Sequence, residues 1–134
     1  MKKVNVIIER SSEGRYSAYM ENDTLNYGIT CTGATAREVK ENFYAAISEM
    51  RDLYREENKA FVEIEPEFTY DMASFLAHYS NILTLAGLER LTGVNRGQLS
   101  HYITGRRHPR PSTVKKIETQ IRRLGEELSH ASFV

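Results

Sequence analysis

A chain of 134 residues that is 40% hydrophobic and 27% charged has the composition of a folded globular protein and excludes an intrinsically disordered one. No apolar run approaches the roughly 20 residues of a membrane-spanning helix. Met1-Lys2-Lys3 leads only into the short run Val4–Ile8, closed by Glu9-Arg10, so no secretory signal is expected and the expected location is the cytoplasm. The single cysteine, Cys31, excludes an internal disulfide and a Cys-rich zinc site, and reads as a small, partly buried apolar residue.

The net charge is zero, but it is unevenly spread. Residues 1–70 carry nine basic and thirteen acidic side chains, and residues 71–134 carry nine and five. Between 90 and 123 there are nine basic residues and one acid, Glu118. An acidic half joined to a basic half suggests two tasks, with the basic half the candidate for binding a polyanion.

The first half alternates with period two. Val4, Val6 and Ile8 share one face of a strand, Ser11-Ser12-Glu13-Gly14 is a turn, and Tyr16, Ala18 and Met20 alternate in a second strand. A loop at Glu21-Asn22-Asp23-Thr24 precedes a third alternating run, Tyr27, Ile29 and Cys31. Thr35-Ala36-Arg37-Glu38 is a capping box. The stripe Val39, Phe43, Ala46, Ile47, Met50, Leu53 and Tyr54 then marks a long amphipathic helix. Phe61–Glu65 reads as a fourth strand ended by Pro66, and Pro66-Glu67-Phe68-Thr69 as a linker.

Beyond the linker the period is helical. Met72, Phe75, Leu76, Tyr79 and Leu83 mark one helix capped by Asp71, Leu85–Thr92 a second and Arg96–Thr104 a third, stopped by Gly105. The basic segment Arg106-Arg107-His108-Pro109-Arg110-Pro111 is a loop. A last helix opens at Ser112, with Val114, Ile117, Ile121, Leu124 and Leu128 spaced by three and four. The expected fold class is α+β: a β-β-β-α-β sheet-plus-helix domain at 1–67, then an all-α domain at 71–134.

The chemistry concentrates between Leu88 and Tyr102. Leu88 or Leu91 supplies an apolar residue late in a first helix, Gly93 the turn, and Val94 and Leu99 the packing of a second helix. Asn95 caps that second helix, whose polar or small residues Arg96, Gly97, Gln98, Ser100 and His101 are left to reach base edges in a major groove. Arg106 and Arg107 follow Gly105 where the chain would pass a phosphate backbone, and Lys115 and Lys116 open the next helix. Taken alone, a Gly turn between two helices also fits an ordinary helical hairpin.

Residues 71–128 resemble the Xre/Cro type of helix-turn-helix, with Leu88, Gly93, Val94, Leu99, Tyr102, Gly105 and Pro111 on that pattern. Glu89 departs from it, since the family usually has a small residue there. A carboxylate at that position must bend outward or pair with Arg90 or Arg96. The two-part order, with Gly28-Ile29-Thr30 leading into Gly33-Ala34-Thr35-Ala36-Arg37-Glu38 and a long helix, resembles the HicB antitoxin family. The resemblance implies a partial ribonuclease H-like domain that blocks a small basic messenger-RNA-cleaving toxin of the HicA kind. It also implies a DNA-binding domain that represses its own operon through operator DNA.

Metal-dependent nuclease chemistry is not expected. Glu9, Glu38, Glu63 and Glu65 have simpler readings as a strand end, a cap and a solvent-facing row, and the four histidines lack ligand spacing. The expectation is therefore a repressor and antitoxin without catalysis, metal or cofactor, forming a homodimer or higher homo-oligomer through its last helix. The alternative is a one-component repressor whose first half senses a small molecule.

Overall fold

The computed structural model describes residues 1–21 and 24–134; Asn22 and Asp23 of the expected loop lie outside the described residues. The mixed α+β class is as expected, a strand-rich N-terminal part followed by helices. The chain divides into two compact units, Met1–Ser74 and Phe75–Val134.

In the first unit, strands β1 (Lys2–Arg10), β2 (Tyr16–Glu21) and β3 (Thr30–Gly33) are followed by helix α1 (Ala36–Glu56) and strand β4 (Ile64–Tyr70). The sheet order is β3-β2-β1-β4. β1 and β2 pair antiparallel, as do β2 and β3, whereas β4 lies parallel to β1. The parallel pair needs a crossover, which α1 supplies. Strand alternation sends Val4, Val6, Ile8, Tyr16 and Ala18 into a core with Val39, Phe43 and Ile47 of α1. Phe43, Val39, Val6 and Ile8 are fully buried, so truncating Phe43 to alanine would cost about 3–5 kcal/mol.

The start of α1 is held as the capping box requires, with one shift. Thr35 Oγ1 accepts from the Glu38 N–H at 3.0 Å, but Glu38 Oε2 accepts from the Ala34 N–H at 3.2 Å, one residue before the cap. Leu53, at the edge of the apolar stripe, stays 47% exposed.

Several expectations are corrected. The third strand is shorter than the alternating run. Tyr27 leaves the ladder, donates its hydroxyl to the Val62 carbonyl at 2.6 Å and stacks on Phe61 with ring centroids 5.0 Å apart. The fourth strand begins at Ile64 and runs through Pro66 to Tyr70, so the segment 66–69 is sheet and not linker. Proline is tolerated because β4 is at the edge of the sheet, where one side of the strand has no ladder to serve. Glu63 lies outside the strand and pairs with Arg51 of α1, with Nη2 donating to Oε2 at 2.8 Å. That hydrogen bond holds the Glu63 carboxyl below the usual carboxylate range.

Helix α2 (Met72–His78) straddles the division between the units and ends well before Leu83. Asp71 Oδ2 accepts from both the Ser74 N–H, at 3.2 Å, and its hydroxyl, at 2.9 Å, as the expected cap. The second unit continues with α3 (Leu85–Thr92), α4 (Arg96–Ile103) and α5 (Pro111–Ser129), α3 packing against both others. Leu88, Val94, Leu99, Tyr102 and Ile117 are its buried residues around that contact. Pro111 belongs to the helix, at its first turn, where the missing N–H costs no bond.

Candidate nucleic-acid interface

The turn between α3 and α4 is fixed by buried polar bonds. Thr92 is only 2% exposed; its hydroxyl donates to the Leu88 carbonyl at 2.7 Å and accepts from the Val94 N–H at 3.1 Å. One side chain thereby closes α3 and holds the first residue after the turn. Gly93 has φ 74° and ψ 7°, a left-handed conformation that an L side chain resists, and its N–H returns to the Glu89 carbonyl at 2.8 Å. Asn95 then caps α4, its Oδ1 accepting from the Gly97 N–H at 2.7 Å. A Cβ at position 97 would lie 2.9 Å from that oxygen, so glycine there is what lets the cap close.

Burial of Leu99 and Tyr102 fixes the orientation of α4. Asn95, Arg96, Gly97 and Gln98 are exposed, and Ser100 and His101 are half-buried on the same outward side. Gly105, at φ 75°, ends the helix, and the Arg107 N–H bonds the His101 carbonyl at 3.2 Å, so the basic loop folds back onto the end of α4. Arg106 and Arg107 are exposed there. The structure therefore groups all eight candidate residues along one helix and the loop that leaves it.

Lys116 of α5 also reaches this region, its Nζ 3.4 Å from where a Cβ on Gly93 would stand. Among the described residues, Arg106, Arg107, Arg110, Lys115 and Lys116 are in no ion pair. Arg96 differs. Glu89 Oε2 accepts its backbone N–H at 2.8 Å, and Oε1 accepts from its Nε at 3.2 Å and its Nη2 at 3.0 Å. These bonds, the backbone one foremost, pull the Glu89 carboxyl below its ordinary value. Glu89 was not among the candidate residues; its departure from the helix-turn-helix pattern left outward bending, Arg90 and Arg96 open, and the fold brings it to Arg96.

The first unit offers a contrasting surface. The face of the sheet away from α1 carries Asn5, Ile7 and Glu9 of β1, Ser17, Tyr19 and Glu21 of β2, Thr30 and Thr32 of β3, and Glu65, Glu67 and Thr69 of β4. Four carboxylates face one ammonium, Lys3, whose Nζ is 3.5 Å from Glu67. Asn5 donates to Glu21 at 2.8 Å and accepts from Thr69 at 3.0 Å, while the Tyr19 hydroxyl donates to Glu9 at 2.9 Å. The result is a polar, acidic plane with Glu65 in no ion pair among the described residues. On the α1 side, a cleft of about 270 Å³ is lined by Ile29, Ala46, Met50 and Leu53, among others.

Among the described residues no three His, Cys, Asp or Glu side chains converge as a metal site requires, and no helix is long and apolar enough to cross a membrane. Residues 80–124 match the helix-turn-helix family. No curated protein and no solved structure matches the chain. The second unit thus carries a DNA-binding helix-turn-helix, the module of a transcriptional regulator, built on α3 and α4.

Proposed function

We propose that this protein is the antitoxin of a HicA–HicB-type pair, acting in the cytoplasm without catalysis or cofactor. Its first unit binds and blocks a small basic messenger-RNA-cleaving toxin, and its helix-turn-helix represses its own operon. The acidic open face of the sheet carries the toxin half of this reading. Glu9, Glu21, Glu65 and Glu67 give a cationic partner a complementary field, which speeds encounter and fixes orientation. The exposed row of α4 and the unpaired cations after it carry the operator half.

The protein acts as a homodimer. On α5, Ile121 and Leu124 are half-buried and Leu128 is 65% exposed, continuing an apolar stripe beyond Ile117. Charge along α5 runs from Lys115 and Lys116 through Arg122 and Arg123 to Glu126 and Glu127, opposite to what the helix dipole favours. A second copy packed antiparallel would set Glu126 and Glu127 of one protomer beside Arg122 and Arg123 of the other. A two-fold dimer also matches two operator half-sites.

The small-molecule alternative would use the cleft beside α1, whose volume falls below the roughly 300–1,000 Å³ of most ligand pockets. Coexpression with the product of a neighbouring short basic reading frame tests the main reading. The full chain should copurify with it and relieve its growth arrest. Glu65→Lys with Glu67→Lys should weaken that complex on the order of tenfold, because each reversal replaces an attraction by a repulsion of similar size. DNA binding should be unchanged. A complex of undiminished affinity would remove the sheet face from the interface, and no complex with any basic partner would sink the antitoxin reading.

A further inference from the structure

We infer that Glu89 is a positioning residue for base readout, holding Arg96 so that one chosen edge of its guanidinium enters the DNA groove. This rests on the DNA-binding reading of α4 and extends it to a residue outside the recognition helix. Arg96 is the first residue of α4 and Glu89 lies on α3, so the pair bridges the turn. A guanidinium has two edges able to make a forked pair. Glu89 takes the edge formed by Nε and Nη2, at 3.2 and 3.0 Å. The edge formed by Nη1 and the second proton of Nη2 stays open, and among the described residues no bond to Nη1 occurs. Two parallel N–H donors on that edge match N7 and O6 of guanine in the major groove.

The same carboxylate anchors the backbone beneath the side chain. Its Oε2 accepts the Arg96 N–H at 2.8 Å, so the guanidinium and the helix N-terminus that carries it are fixed to one group. An arginine has many rotamers to lose, and holding it before DNA arrives removes that cost from the specific complex. Glu89 also neutralises Arg96. A free arginine at this position would bind any phosphate within reach and add affinity for every sequence. A paired one contributes little to non-specific binding and acts where a guanine is correctly placed. The side chains are 58% and 30% exposed, so the pair is open to a groove and not locked in a core.

The test compares Glu89→Gln, Arg96→Ala and their combination in the full chain, each checked for unchanged thermal unfolding of the helices. Glutamine can still accept the Arg96 N–H, so the cap survives while the ion pair is lost. The DNA probes are the promoter upstream of this gene and a scrambled duplex of the same length, titrated from about 50 to 200 mM salt. Glu89→Gln should raise affinity for scrambled DNA and steepen its salt dependence by about 0.9 in log–log slope, the signature of one added phosphate contact. It should lower the promoter-to-scrambled ratio by about five- to a hundredfold, the range of one forked base contact. Arg96→Ala should lower the ratio similarly with little change in slope, and the double variant should match Arg96→Ala. Wild-type ratio and slope in Glu89→Gln, with Arg96→Ala still losing discrimination, would overturn the role of Glu89 and leave the recognition helix standing. A wild-type protein that does not distinguish the two duplexes would overturn the DNA reading itself and this inference with it.

Discussion

Replacing Thr92 by valine tests whether the helix-turn-helix is held by its buried hydroxyl. Valine has nearly the same shape, so the substitution leaves no cavity and removes one oxygen. The Thr92 O–H donates to the Leu88 carbonyl at 2.7 Å and the same oxygen accepts from the Val94 N–H at 3.1 Å, and Val94 itself is 5% exposed. The variant therefore strands a buried N–H donor away from water, at about 1–3 kcal/mol. Taking about 2 kcal/mol for a unit of this size, the unfolding midpoint of the helical unit should fall by roughly 8–16 °C. Thr92→Ser is the control. It keeps both hydrogen bonds and loses a methyl group worth about 1 kcal/mol, so it should lie between the wild type and Thr92→Val. Circular dichroism gives the midpoints, and amide exchange at Val94 should be slow in the wild type and in Thr92→Ser and accelerate in the valine variant alone. Thr92→Val as stable as Thr92→Ser, with Val94 still protected, would refute the argument.

Three further outcomes follow from the geometry. Arg107→Ala removes an unpaired cation beside the end of α4, so promoter and scrambled DNA should weaken alike and both salt slopes should flatten by about 0.9 in filter binding. Leu128→Glu places a carboxylate in the exposed end of the α5 stripe; if the proposed dimer uses that stripe, sedimentation should show the variant as monomer at concentrations where the wild type is paired, and a wild type that is itself monomeric would refute the proposed dimer. Glu63 has its folded pKa lowered by the bond from Arg51, so the pair contributes stability above the unfolded value of about 4.3 and loses it as pH falls through the folded value. Acid titration should accordingly show Arg51→Met closest to the wild type at low pH and less stable than it from about pH 5 upward; an equal deficit at every pH would mean the pair is not the cause.

Where local pattern and tertiary packing agree, the fold could be read directly from residues. Val4, Val6 and Ile8 alternate because one face of β1 lies under α1, and Thr35 with Glu38 marks the helix start. The correction at Pro66 arises because a sequence does not reveal which strand is at an edge. A proline terminates an interior strand, which is the reading its sequence context supports. On β4, beside β1 alone, it interrupts nothing. Tyr27 and Phe61 fit an alternating pattern yet serve each other and Tyr54, an aromatic cluster whose members are far apart in the chain.

The DNA-binding module was legible for a different reason: its requirements are local. A turn needing positive φ demanded Gly93, a cap demanded Asn95, and two apolar residues three apart on α4 fixed its outward side. What composition concealed was the state of each charge. Arg96 and Arg107 count equally in a net charge, and spacing offers both to DNA. The fold separates them, because the turn brings Glu89 back against Arg96, while among the described residues Arg107 is in no ion pair. Removing a charge available to phosphate flattens the salt dependence, whereas removing one already matched by a carboxylate leaves it nearly unchanged. The difference between reading bases and gripping backbone is therefore carried here by an α3 carboxylate, seven positions upstream of the arginine it holds.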